Sequence, residues 1–225
     1  MGCGPSGIIE LLADRVGPDG HVVGVDRDPA LVALARAFVQ DRGFANVDIV
    51  EADARRTGLP DSSFDLVHAR TLLVNIPDPE SVVAEMARLV RPGGWVLGME
   101  PDAAGRVYYP LNPFMDRLHE IFGATYRQDG ADPAIGRRLP ELFRRAGLTD
   151  VGVEARADVY PPGHSRRTIH PDLARSMRDK IVERGIAGEQ ELDDLDRVVR
   201  EYLDDPRTLV LPHLFFLTWG RRPTT

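Results

Sequence analysis

From residue 21 to residue 100, short apolar runs alternate with helix-patterned stretches, and this alternation narrows what the chain can fold into more than any other feature. Residues 21–26 (His-Val-Val-Gly-Val-Asp) are short and mostly apolar, which suits a strand buried on both faces of a parallel sheet. Asp28 then stands as an N-cap with Pro29 at the first helical position. Leu31, Leu34, Ala35, Phe38 and Val39 form one face of a helix that Gly43 ends. Further strands are predicted at residues 47–51, 64–69 and 95–100, with a helix at 79–90 and a Pro92-Gly93-Gly94 turn feeding the last strand. Elements at this spacing predict an α/β fold whose mostly parallel sheet is covered on both faces.

On either side of this region the pattern continues less regularly. Ile8, Ile9, Leu12 and Val16 recur at helical spacing, and Pro18-Asp19-Gly20 supplies a turn. Beyond Glu100 the spacing predicts helices at 112–123 and 135–146, a strand at 151–159, and a final strand at 208–219 interrupted near Pro212. Residues 160–206 read as an insertion of two helical stretches. The second carries a stripe of Leu192, Leu195, Val198, Val199, Tyr202 and Leu203 that must pack against something. The chain of 225 residues is expected to form a single domain, 1–225, in which 101–134 and 160–206 are substrate-lid insertions.

Composition excludes several partners. No apolar run approaches 18 residues, 28% of residues are charged, and the first residues lack the basic and apolar regions of a signal peptide, so the chain reads as soluble and cytoplasmic, with no membrane partner. One cysteine, Cys3, forms no internal disulfide, and no cysteine–histidine cluster has metal-ligand spacing, so no metal is expected. A net charge of −7 opposes the positive field of a nucleic-acid binder. The pairs Arg137-Arg138, Arg144-Arg145 and Arg166-Arg167 read as solvated helix faces, and His164 and His170 as part of a polar loop.

Gly2-Cys3-Gly4-Pro5-Ser6-Gly7 sits directly before the first helix, where glycines permit tight turning and close backbone approach to a ligand facing the helix N-terminus. Asp26 ends the next strand about twenty residues later, placed to accept hydrogen bonds from ribose hydroxyls. Both features fit a dinucleotide site as well as other nucleotide-like sites.

The glycine run, Val-Val-Gly-Val-Asp26, Glu51-Ala52-Asp53-Ala54, Phe64-Asp65-Leu66-Val67 and Leu89-Val90-Arg91-Pro92-Gly93-Gly94, in that order, resemble the class I S-adenosylmethionine-dependent methyltransferases. The closing Phe-Leu-Thr-Trp-Gly-Arg at 216–221 is similar to their final strand, while residues 101–206 match nothing assignable. The resemblance implies a Rossmann-like sheet of order 3-2-1-4-5-7-6 with strand 7 antiparallel, S-adenosylmethionine as cofactor, and methyl transfer to a small-molecule acceptor by in-line displacement. It places Gly2, Gly4 and Gly7 beneath the methionine and ribose, Asp26 on the ribose hydroxyls, and Asp53 with the Ala52 and Ala54 backbone at the adenine. Ala69 and Arg70 would line the methionine end. Strand 1 of that order is largely absent here, since only Met1 precedes Gly2, which implies a truncated or mis-started chain that binds cofactor weakly.

An activated sulfonium makes a general base optional, because positioning supplies much of the acceleration. His68, Glu100 and Asp102 are candidates at carboxyl ends of strands, and Tyr108, Tyr109 and Tyr160 could stack on a planar acceptor. Two other readings share the glycines and Asp26: a nicotinamide-dependent oxidoreductase, which leaves Asp53 and the terminal strand unexplained, and a catalytically silent domain.

Overall fold

The structure, a computed structural model, describes residues 1–224. Helix α1 (Ile9–Val16) leads into strand β1 (Val22–Asp26), helix α2 (Pro29–Arg42) and strand β2 (Val47–Glu51), and β1 pairs with β2 in parallel with Asp26 opposite Glu51. The Asp28 carboxylate accepts from the N–H groups of Ala30 and Leu31, and Gly43 closes the helix in the left-handed region at φ 67°. The buried face of α2 is narrower than the sequence predicts. Val32 and Ala35 are buried, whereas Leu34 is 57% exposed. A two-stranded piece offers little surface, and Arg36 spans its margin, donating to the Ile49 carbonyl.

Strands β3 (Phe64–Arg70), β4 (Val90–Asp102), β6 (Thr149–Ala157) and β8 (Leu214–Arg221) form a second piece in the order β3-β4-β8-β6. β3 and β4 are parallel, and β8 runs antiparallel to both its neighbours. Strand β4 starts earlier than expected. Phe64 lies opposite Val90 and Leu66 opposite Trp95, so the Pro92-Gly93-Gly94 turn is absorbed as a bulge. Helices α3 (Pro79–Leu89) and α5 (Leu139–Arg145) supply Val82, Met86, Leu139 and Phe143 to a core shared with Val67, Ala69 and Val96.

The sheet is divided where strand 1 of the expected order is missing. Among the described residues no strand lies between β1 and β3, and a cavity of ≈ 520 Å³ separates them, lined by Val23, Val25, Leu66 and His68 among others. The core is divided with it, since Ile9, Ala13, Val32, Ala35 and Ile49 form a cluster of their own beside β1 and β2. The glycine run spans the gap: the Met1 nitrogen donates to the His68 carbonyl at 2.7 Å and the Cys3 N–H to the Val25 carbonyl at 3.0 Å.

Above the four-stranded piece sits a helical cap. It contains α4 (Pro113–Gln128), α6 (Ile169–Ser176), α7 (Arg178–Glu183) and α8 (Glu189–Asp204), with a small antiparallel ribbon of β5 (Val107–Tyr109), which periodicity does not reveal, and β7 (Leu209–Leu211), the part of the predicted final strand before Pro212. The stripe on α8 finds its partners here: Val199 and Leu203 pack with Met115 and Leu118, and Leu192 and Leu195 with Ile121 and Ile181. Among the described residues no helix is long and apolar enough to cross a membrane.

Arg167 is not part of a solvated face. It is 3% exposed, and its guanidinium donates to the carbonyls of Leu203 at 2.7 Å, Tyr160 at 2.9 Å, Thr208 at 3.0 Å and Asp205 at 3.1 Å. Those carbonyls end α8 and flank the cap's return to the sheet, and a planar fork of five donors suits them as an apolar side chain cannot. Arg167→Met, which leaves them without donors, is expected to lower stability by about 2–4 kcal/mol in urea unfolding. An unchanged midpoint would show that the cap does not depend on this residue.

Candidate active site

The glycine run and Asp26 come together at the carboxyl end of β1. Gly2, Gly4 and Gly7 have φ of 62°, 57° and 50°, the left-handed region that a side chain rarely adopts. A Cβ on Gly7 would stand 2.6 Å from the Cys3 carbonyl oxygen, so the turn into α1 closes only without one. Around Gly4 the space is open, and its N–H donates to Asp26 Oδ2 at 2.9 Å. Asp26 Oδ1 accepts from the Asp28 N–H at 3.1 Å, and the Asp26 carbonyl accepts from Ala52 at 2.9 Å. A carboxylate has about four lone-pair sites, so Asp26 retains capacity for ligand hydroxyls.

Ala52, Asp53 and Ala54 follow β2 beside Asp26, with Ala54 buried. The Asp53 carboxylate is gripped by Arg55, whose Nε and Nη2 donate to both oxygens. That contact holds Asp53 ionised with a pKa near about 2, and both of its oxygens already carry a partner. Ala69 is buried at the carboxyl end of β3 and Arg70 is exposed beside it, lining the cavity.

The three candidate bases have other surroundings. Glu100 is fully buried and accepts from the N–H groups of Leu72 at 2.8 Å, Leu73 at 2.9 Å and Val74 at 3.1 Å. Burial pushes its carboxyl up to about 7 against the pull of those donors. Glu100 thereby fixes the loop after β3, and that loop sets Leu72 against Gly2: a Cβ there would meet Leu72 Cδ1 at 2.7 Å. Asp102 is also fully buried; it caps the turn at Ala104 and takes the Arg137 fork, with Nη2 at 2.9 Å. His68 lines the cavity with its imidazole held near about 4 by burial.

Of the candidate tyrosines, Tyr109 is 68% exposed and Tyr160 stacks on His164, with ring centroids 4.5 Å apart. Tyr108 points inward instead, where its hydroxyl meets His170 Nδ1 at 2.7 Å, and His170 Nε2 meets His213 Nε2 at 3.2 Å. His170 is therefore no loop residue: it is 3% exposed, on α6. His119 of α4 joins it edge-on, ring centroids 4.7 Å apart. Sequence patterning does not single out His119 and His213, because three histidines on separate elements share no spacing. The one signal it holds is a histidine among the apolar positions of α4, between Leu118 and Phe122.

Comparison with known proteins fits this arrangement. Residues 1–98 match a family model described as a methyltransferase domain. The demethylmenaquinone methyltransferase of Geobacillus sp. (strain WCH70) is 33% identical over 165 residues, 68% of this chain and 70% of that protein. The enzyme of the same name from Listeria monocytogenes serotype 4b (strain CLIP80459) is 35% identical over 163 residues, 66% of this chain and 68% of its own. Phosphoethanolamine N-methyltransferase 2 of Haemonchus contortus, solved with phosphomonomethylethanolamine and S-adenosylhomocysteine, superposes with a TM-score of 0.63 at 19% identity, over 99% of this chain and 48% of that one. The YcgJ protein of Bacillus subtilis superposes equally well, TM-score 0.63 at 18% identity, over 99% of this chain and 89% of its own. Fold and glycine loop define a Rossmann-like α/β domain built around a nucleotide-type cofactor. The chain belongs to the class I S-adenosylmethionine-dependent methyltransferases, and the nicotinamide reading falls away.

Burial holds four imidazoles below the ordinary 6.5: His119 to about 3, His68 and His213 to about 4, and His170 well below. As pH falls below 6.5 the unfolded chain takes up protons that the folded chain refuses, so this stability is present above 6.5 and is lost toward pH 4. Glu100, raised from 4.5 to about 7, acts oppositely between those two values. With four groups against one, stability should drop between pH 6.5 and pH 5 by on the order of 1 kcal/mol per pH unit or more, read from urea melts. A flat profile would mean that these imidazoles are solvated.

Proposed function

We propose that this chain transfers the methyl group of S-adenosylmethionine to a small molecule held between the carboxyl ends of β3 and β4 and the helical cap. The observation that carries this reading is the Gly4 N–H bound to the Asp26 carboxylate at 2.9 Å. It sets an open glycine turn beside an acceptor of hydroxyl hydrogen bonds, at the end of a parallel strand where ligands of open sheets bind.

S-adenosylmethionine supplies a methyl group on a positively charged sulfur, already activated toward displacement. The residues present suit it. Asp26 offers its remaining lone pairs to the ribose hydroxyls, Gly2, Gly4 and Gly7 allow close backbone approach, Ala52 to Ala54 border the purine, and Ala69 and Arg70 lie toward the methionine end. Glu100 acts at one remove, holding the N–H groups of residues 72–74 so that the loop over Gly2 keeps its shape. Asp102 is committed to Arg137. The protein's contribution to rate is therefore alignment of donor and acceptor and exclusion of water by the cap, acting as a lid. The demethylmenaquinone methyltransferases among its relatives make demethylmenaquinone the acceptor to assay first.

Asp26→Asn keeps an oxygen for the Gly4 N–H and removes the charge. Its NH2 group would face the Asp28 N–H, so the melting temperature should fall modestly, while titration with S-adenosylhomocysteine should show affinity weakened by about tenfold or more. Equal affinity in the variant would remove Asp26 from the site.

A further inference from the structure

In the reading proposed above Asp53 borders the purine, yet its carboxylate is already occupied. Oδ1 accepts from the Arg55 backbone N–H at 2.9 Å and from Arg55 Nε at 3.0 Å, while Oδ2 accepts from Nε at 3.1 Å and from Nη2 at 2.6 Å. A carboxylate has about four lone-pair sites, so this clasp leaves none for the N–H of a ligand. The two side chains are open to solvent, Arg55 45% and Asp53 37% exposed, and a ligand can reach them.

The backbone holds its shape without the clasp. The Arg56 N–H donates to the Asp53 carbonyl at 2.9 Å and closes a turn that keeps the Arg55 N–H on Oδ1. Departure of the guanidinium therefore frees Oδ2 and leaves the loop intact. The guanidinium also has a second place to rest. Asp78, which caps α3 by accepting from the Ser81 N–H, acts on the charge of Arg55, and Arg55 acts on Asp78 in turn. The charge of Arg27 acts on Asp53 as well, so the carboxylate keeps a cation nearby when Arg55 leaves.

We infer that Arg55 is a latch on the purine subsite: its guanidinium competes with the exocyclic amine of adenine for Asp53 Oδ2 and moves toward Asp78 when the cofactor binds. The inference rests on the reading that S-adenosylmethionine occupies the glycine run with its purine at residues 52–54. It makes Arg55 a specificity-determining residue. An ionised carboxylate only accepts, so with Oδ2 free the subsite selects a purine that offers an N–H at position 6. A guanidinium only donates, so with Arg55 in place the subsite accommodates a 6-oxo purine, whose carbonyl it meets. The latch thus weakens adenine binding and blunts discrimination, by the few-fold that an exposed ion pair can supply.

S-adenosylhomocysteine and its 6-oxo analogue, S-inosylhomocysteine, titrated calorimetrically into the full chain and into Arg55→Met, test this. Arg55→Met should bind S-adenosylhomocysteine about threefold tighter than the parent and the 6-oxo analogue no tighter, so discrimination between them grows by about threefold or more. A change in loop shape alone would move both ligands together. Asp78→Asn keeps an oxygen for the Ser81 N–H and removes the charge that receives Arg55. It should weaken S-adenosylhomocysteine binding by about twofold in the parent and leave it unchanged in Arg55→Met. Equal discrimination by the parent and Arg55→Met overturns the latch and leaves the cofactor reading standing, and an Asp78→Asn effect of equal size in both backgrounds overturns the movement toward Asp78. Binding of neither ligand by either protein overturns the cofactor reading and this inference with it.

Discussion

The hydrogen bond from the Gly4 N–H to the Asp26 carboxylate fixes where the first helix begins relative to the sheet, and with it where a ligand can meet the backbone. Asp26 does this from the last position of β1, where a second oxygen accepts from the Asp28 N–H and so also sets the start of α2. One side chain thus orders the approach to two helix N-termini, the positive ends of two helix dipoles. Glu100 is its counterpart in the other half of the molecule, gathering three N–H groups of the loop after β3 and placing Leu72 over Gly2. The glycine run is held from both sides although the sheet itself is divided.

That division explains why so much depends on so few contacts. β1 and β2 pack with α1 and α2 in one small core, and the remaining strands form another with α3 and α5. Met1 to Gly7 bridge them through the His68 and Val25 carbonyls. The cap has its own apolar clusters and is tied at its return by Arg167, so its packing is built separately from the cofactor loop. The histidine and tyrosine rings belong to the cap and not to the core beneath the cofactor loop.

Local chemistry makes the cofactor half legible in the sequence. The Asp28-Pro29 start and Gly43 stop of α2, the strand at Val47–Glu51 and the break at Pro212 all arise from neighbouring residues, and the structure has each of them. The buried face of α2 departs from its periodicity because burial depends on how much sheet lies beneath it. The start of β4 departs from the sequence reading because proline and two glycines signal a turn whether they end a strand or bulge it. Arg167 and His170 look polar in the sequence and are buried in the fold, since carbonyls and rings brought from residues 108, 160, 203 and 213 surround them. Long-range company of this kind leaves no periodic trace. The candidate bases do sit at strand ends, yet their hydrogen bonds, which decide what Glu100 and Asp102 do, come from residues 72–74 and 137.

In the proposed reading, Asp26 at the glycine run organises the donor site. Amide hydrogen exchange of the full chain with and without S-adenosylhomocysteine tests this most directly. Added protection should concentrate in residues 2–8, 26–28 and 52–55, together with the loop at 71–75. Protection confined to the cap, or none at the glycine run while the compound is bound, would contradict it.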